Sequence, residues 1–232
     1  MNKQAWGRVA VLLAWFTFIL VLLAGGSLAM YIRKSYAPLA VVALIILATL
    51  AVRRGSTDIH ETPAEPLSSI SMIIFLAPVL LAALVRPGSL SSLAVETRGI
   101  STSFSGTEAS LADVLAARVE MEGEYRNLTL KQLLGLIRKD PGRADTLPVA
   151  VEGMVYGNVK DSSGSFMLVR FLITCCAADA TPLGIKVIWS GPVAPKNSWV
   201  VVRGKVSCTE GEPCFIAEEV RQLPSPSNPY LY

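Results

Sequence analysis

Residues 9–32 carry no charge, and that run limits what the rest of the chain can be. At 1.5 Å per helical residue it is long enough to cross a hydrocarbon core of ~30 Å. Lys3 and Arg8 precede it, Arg33 and Lys34 close it, and Trp6, Trp15 and Tyr31 lie towards its ends, where aromatic rings favour the membrane interface. A secretory signal has a shorter apolar core of about 7–15 residues, so the run reads as a span. Two more apolar runs follow: residues 36–52, closed by Arg53 and Arg54, and residues 67–85, stopped by Arg86-Pro87-Gly88. The link around Arg33 to Ser35 is short enough to make the first two runs an antiparallel hairpin. Pro78 lies inside the third run, where a spanning helix tolerates it if neighbours re-satisfy the freed carbonyl. Residues 1–88 are therefore expected to form a transmembrane helical region of about three spans, making the protein multi-pass in the cell membrane with the lipid bilayer around it.

Composition agrees: 52% of residues are hydrophobic and 17% charged, against about 25% charged in a soluble domain. The net charge of +3 resides entirely beside the apolar runs, in Lys3, Arg8, Arg33, Lys34, Arg53 and Arg54 against Asp58, Glu61 and Glu65. Basic residues fall on both sides of a three-span arrangement, so the positive-inside rule gives a tie.

Residues 89–147 read as a Ser/Thr/Gly-rich lead-in followed by two short amphipathic helices. The first starts near Ser110, with Asp113 at the reciprocal capping position. The second starts near Thr129, with Gln132 in that role and a stripe of Leu130, Leu133, Leu134 and Ile137. Asp140-Pro141-Gly142 should end it. From Pro148 the period changes to that of strands: residues 149–156, 166–174, 185–189, 199–207 and 215–223, separated by Gly, Pro and Asn clusters. Five short strands at this spacing, with Gly153 and Gly204 at bulge or corner positions, predict a small five-stranded OB-like β-barrel over residues 148–232 with a C-terminal tail. The fold class is thus a membrane α-helical N-terminal region followed by an α+β soluble part.

All four cysteines lie in that C-terminal part. Cys175 and Cys176 are adjacent, with Asp179 close behind. Thiolates suit soft metals or metalloids, so Cys175, Cys176 and Asp179 are a candidate metal site. A redox-active vicinal disulfide is a second option. Packing is a third, because consecutive strand residues point to opposite faces and one thiol would enter the core. Cys208 and Cys214 flank a turn and could form a cross-strand disulfide if their α carbons come within about 7 Å. Such a bond persists outside the cytosol, which favours an extracytoplasmic C-terminal domain.

No catalytic constellation is present. His60 is the single histidine, and there is no Gly-rich phosphate loop, zinc signature or nucleophile elbow. Glu218 and Glu219 are neighbours on a strand, expected to face opposite ways and so to make a poor acid–base pair. Basic and acidic residues balance between residues 149 and 223, which argues against nucleic acid as a partner, since that needs a basic groove with stacking aromatics.

Several stretches together resemble the YcgQ-like family, bacterial membrane proteins described as permease subunits with a C-terminal domain of unknown function. They are Val151-Glu152-Gly153-Met154-Val155-Tyr156, then Arg170-Phe171-Leu172-Ile173-Thr174-Cys175-Cys176-Ala177-Ala178-Asp179-Ala180, then Pro182-Leu183-Gly184, the Trp199 to Val206 strand, and the closing Asn228-Pro229-Tyr230-Leu231-Tyr232. The resemblance implies a non-enzymatic accessory subunit working beside a separate multi-span membrane permease, with the β domain as a binding or gating module. The residues themselves require no cofactor, and a soft metal at the vicinal cysteines stays open. A loop that is often histidine-rich in that family holds only His60 here, beside Asp58, Glu61 and Glu65, which speaks against metal collection by that loop. The alternatives are a metal- or metalloid-binding membrane protein using the vicinal cysteines, and a membrane-tethered scaffold.

Overall fold

The computed structural model describes residues 3–56, 69–84, 90–102, 121–158, 164–207 and 213–232. The chain divides into two units: Met1–Gly88 with Cys175–Ala177, and Ser89–Thr174 with Ala178–Tyr232.

The first unit holds α1 (Lys3–Ala24), 3-10 turns at Ser27–Met30 and Lys34–Tyr36, α2 (Ala37–Ser56) and α3 (Ser69–Leu84). The charge-free run is not one helix. Gly26 adopts the left-handed conformation (φ 68°), which glycine enters without a Cβ penalty, and the chain leaves the α-helix there. The apolar helical part is Val9–Ala24, only about 24 Å long. In α3 it is Ile70–Ala82, about 20 Å, with Pro78 inside. Among the described residues one helix, Lys34–Arg53, is long and apolar enough to cross a membrane. The expectation of about three spans is corrected accordingly: apolarity was continuous, but helix was not.

α1 packs against both α2 and α3. Trp15 donates its indole N–H to the Phe75 carbonyl at 3.1 Å, and Gly7 lets Met72 approach closely. Many large apolar side chains face outward, among them Leu39, Ile45, Ile70 and Leu84. Also inside this first unit, the Arg33 N–H donates to the Cys175 carbonyl at 3.1 Å and the Ala177 N–H to the Tyr31 carbonyl at 2.8 Å.

The second unit opens with α4 (Ser92–Arg98), which buries Val95. It continues with β1 (Met121–Glu122), β2 (Tyr125–Leu128), α5 (Leu130–Lys139) and α6 (Pro141–Thr146). Thr129 closes α5 with the expected box: its hydroxyl accepts from the Gln132 N–H at 3.3 Å, and the Gln132 side chain accepts from the Thr129 N–H at 2.8 Å. Leu130, Leu133 and Leu134 are buried as the stripe required. Asp140 both ends α5 and caps α6, accepting from the Arg143 N–H at 3.0 Å, with Pro141 at the first helical position. Replacing Thr129 by alanine should cost about 1 kcal/mol. Thermal unfolding of the full chain in detergent would measure it, and an unchanged midpoint would mean the box contributes nothing. The helix expected from Ser110 lies outside the described residues.

The remaining strands are β3 (Val149–Asn158), β4 (Phe166–Leu172), β5 (Thr181–Ile188), β6 (Trp199–Ser207), β7 (Cys214–Leu223) and β8 (Tyr230–Leu231). The sheet has eight strands in the order β1-β2-β3-β6-β7-β5-β4-β8, and β3 also pairs with β4. Three pairings are parallel, β2–β3, β5–β7 and β4–β8. The expectation of a five-stranded OB-like barrel is corrected to an eight-stranded mixed sheet, in which the β3–β4 pairing links β3, β6, β7, β5 and β4 in a ring. The five long strands were visible from their alternation. The short strands β1, β2 and β8 carry too few residues to show a period. The core combines the α5 stripe with Val149, Val151, Phe166, Leu168, Ile185, Val200, Val202 and Phe215.

Between β6 and β7 the register shifts at Arg203/Gly204, a bulge at one of the two glycines the sequence marked. The tail is integral to the sheet. Arg170, largely buried on β4, donates from Nη2 to the Asn228 carbonyl at 3.1 Å and from Nε to the Pro229 carbonyl at 3.4 Å. Its guanidinium lies over Trp199, 5.4 Å from the ring centroid, with Glu152 at 3.9 Å. Burial pulls the Arg170 pKa below the usual guanidinium range, and the Glu152 charge opposes that pull.

Candidate functional site

β4 ends at Leu172, two residues short of the predicted strand. The chain then bends through Cys175 and Cys176 into the 3-10 turn Ala177–Asp179 before β5 starts at Thr181. The two cysteines are therefore not strand neighbours, and strand alternation does not send them to opposite sides. Their sulfurs lie 3.6 Å apart. The turn carries Asp179 back towards them, so that both Sγ atoms and a carboxylate oxygen fall within 4.8 Å of one another. Asp179 Oδ1 accepts from the Thr174 backbone N–H at 3.0 Å, which fixes the carboxylate. Buried Ile173 and Ala180 bracket the loop, and Arg98 Nη1 donates to the Ala180 carbonyl at 2.6 Å. Thr174 was not singled out in the sequence. Its part is played by a backbone N–H, which any residue but proline supplies.

The other sequence candidates are less connected. Cys214 stands opposite Ser207 across the β6–β7 ladder and its thiol donates to the Ser207 carbonyl at 3.7 Å. Its proposed partner Cys208 lies outside the described residues, as do Asp58, His60, Glu61 and Glu65. Glu218 and Glu219 depart from the expected opposition. The bulge leaves Glu218 without a cross-strand partner, because Arg203 is opposite Glu219 and Gly204 opposite Ala217. Glu218 then accepts from the Tyr125 hydroxyl at 2.6 Å, and Glu219 pairs with Arg203 Nη1 at 2.6 Å. The Arg203 guanidinium in turn sits 5.9 Å from the Tyr125 ring centroid, so both carboxylates join one cluster. The hydrogen bond to Glu218 holds the Tyr125 pKa above its usual value, since ionising the phenol would break that bond.

Comparison with known proteins bears on the whole chain. A Streptococcus mutans serotype c protein, named as a subunit of a two-component membrane permease complex, is 23% identical over 268 aligned residues. The alignment covers 97% of this chain and 98% of that relative. Residues 127–232 match the family model described as the DUF1980 C-terminal domain. Both findings agree with the resemblance to the YcgQ-like permease-subunit family, and the stretch that matches the family model runs from β2 to the tail and includes the cysteine loop.

Proposed function

We propose that this protein is a non-enzymatic accessory subunit of a membrane permease complex. Its helices would dock against a multi-span permease in the cell membrane, and its β unit would serve as a binding or gating module. The observation that carries the reading is the alignment, over 97% of this chain, with a relative named as a membrane permease complex subunit. The outward apolar side chains of α2 and α3 support it, because they need lipid or partner helices to cover them.

The test is affinity purification of the full chain from detergent-solubilised membranes, paired with deletion of its gene. A multi-span protein should co-purify, and that partner's transport should fall at least severalfold in the deletion strain. Absence of a multi-span partner together with unchanged transport would sink the reading.

A further inference from the structure

We propose that Cys175, Cys176 and Asp179 form a binding site for a zinc-class divalent cation, held by two thiolates and one carboxylate with the fourth position open to water or another ligand. The inference rests on the loop alone and stands or falls independently of the permease reading.

The donor set comes first. Two sulfurs and a single carboxylate suit a borderline-soft ion, and are wrong for magnesium or calcium, which need six or more oxygens. Distance then selects the geometry. Metal–sulfur bonds of about 2.3 Å at a tetrahedral angle hold two sulfurs about 3.8 Å apart. A linear two-thiolate arrangement would spread them to about 4.6 Å. The sulfurs here are 3.6 Å apart, close to the tetrahedral separation and about 1 Å short of the linear one. Vicinal cysteines usually cannot aim both thiols at one point when they continue a strand. Here the bend after β4 permits it. The carboxylate oxygen, within 4.8 Å of both sulfurs, needs to close to about 3.5 Å, which small side-chain torsions can supply.

The surroundings fit a ligand loop. The Thr174 N–H on Asp179 Oδ1 orients the carboxylate, the kind of outer support that metal ligands use. Cys175 is exposed, so an ion can enter and the open position can be reached from solvent. Three ligands and one vacancy describe an exchangeable or sensing site more than a closed structural one.

The test is titration of the reduced, full-length protein in detergent with Co(II), read by absorbance, followed by displacement with Zn(II). One Co(II) per chain should give intense visible bands of tetrahedral cobalt and a near-ultraviolet thiolate-to-cobalt band, and Zn(II) should abolish both. Losing a ligand costs no less than the roughly 10–100-fold typical of losing its outer support, so Cys175→Ser and Cys176→Ser should each weaken binding at least about 100-fold, and Asp179→Asn at least about 10-fold. Cys214→Ser should leave the spectrum unchanged. Thermal unfolding of each variant checks that the fold survives. If the Cys175→Ser and Cys176→Ser proteins misfold, blocking the wild-type thiols with maleimide after folding must still abolish the bands. Absence of the charge-transfer band in wild type, or its persistence in folded Cys175→Ser and Cys176→Ser proteins, would overturn the proposal.

Discussion

Replacing Gly204 by alanine is expected to destabilise the β unit by about 3 kcal/mol or more. Gly204 has φ 155°, a backbone setting that side chains rarely adopt. A Cβ there would stand 2.1 Å from the Ile216 carbonyl oxygen and 3.1 Å from the Ala217 Cα. Both obstacles are backbone of the neighbouring strand, so no rotamer change relieves them. The bulge would have to be lost, and with it the register that places Glu218 and Glu219 against Tyr125 and Arg203. Denaturant unfolding followed by the fluorescence of Trp189 and Trp199 would measure the loss. The same substitution at Gly135 makes the internal comparison. That glycine lies inside α5 with nothing within 4 Å of an added Cβ, so alanine should stabilise by about 0.5–1 kcal/mol. Equal effects at the two positions would show that the bulge geometry is not as described.

Phe215→Ala should cost about 3–5 kcal/mol. The ring is fully buried, and its backbone stands opposite Val206 on β6 and Val187 on β5. The cavity left behind would therefore open between an antiparallel and a parallel pairing at once. The neighbouring Ile216 is 48% exposed, so Ile216→Ala should cost under about 1 kcal/mol. Unfolding midpoints of the two variants would check this. Comparable losses would mean that β7 presents the wrong face to the core.

What could be read from the residues was local. The Thr129–Gln132 box and the leucine stripe of α5 follow from spacing within one helix, and the five long strands follow from alternation within each strand. The failures lie where a distant partner or one backbone angle decides. Gly25 and Gly26 were in plain view inside an apolar run, yet hydropathy is blind to a left-handed φ, and one span too many was inferred there. α3 failed on length. β1, β2 and β8 exist because long-range partners hold them, not because their own residues demand extension. At the cysteine loop the cluster itself was legible as Cys-Cys and a following Asp. What was not legible was the early end of β4, which turned an expected opposition of the two thiols into a convergence. The joint use of Glu218 and Glu219 was hidden for the related reason that a bulge breaks alternation.

The pairing of β8 with β4 also has a consequence for biosynthesis. Leu172 emerges from the ribosome 59 residues before its partner Leu231. At a translation speed of about 5–20 residues per second, the edge of β4 at Phe171 and Leu172 waits roughly 3–12 s for β8. During that interval the backbone groups of β4 that β8 will later engage can recruit strands from other nascent chains, and Arg170 has yet to receive the carbonyls of Asn228 and Pro229. Chains that stall or are cut short before the tail would keep that edge permanently, which makes them natural substrates for quality-control proteases rather than merely less stable copies of the protein.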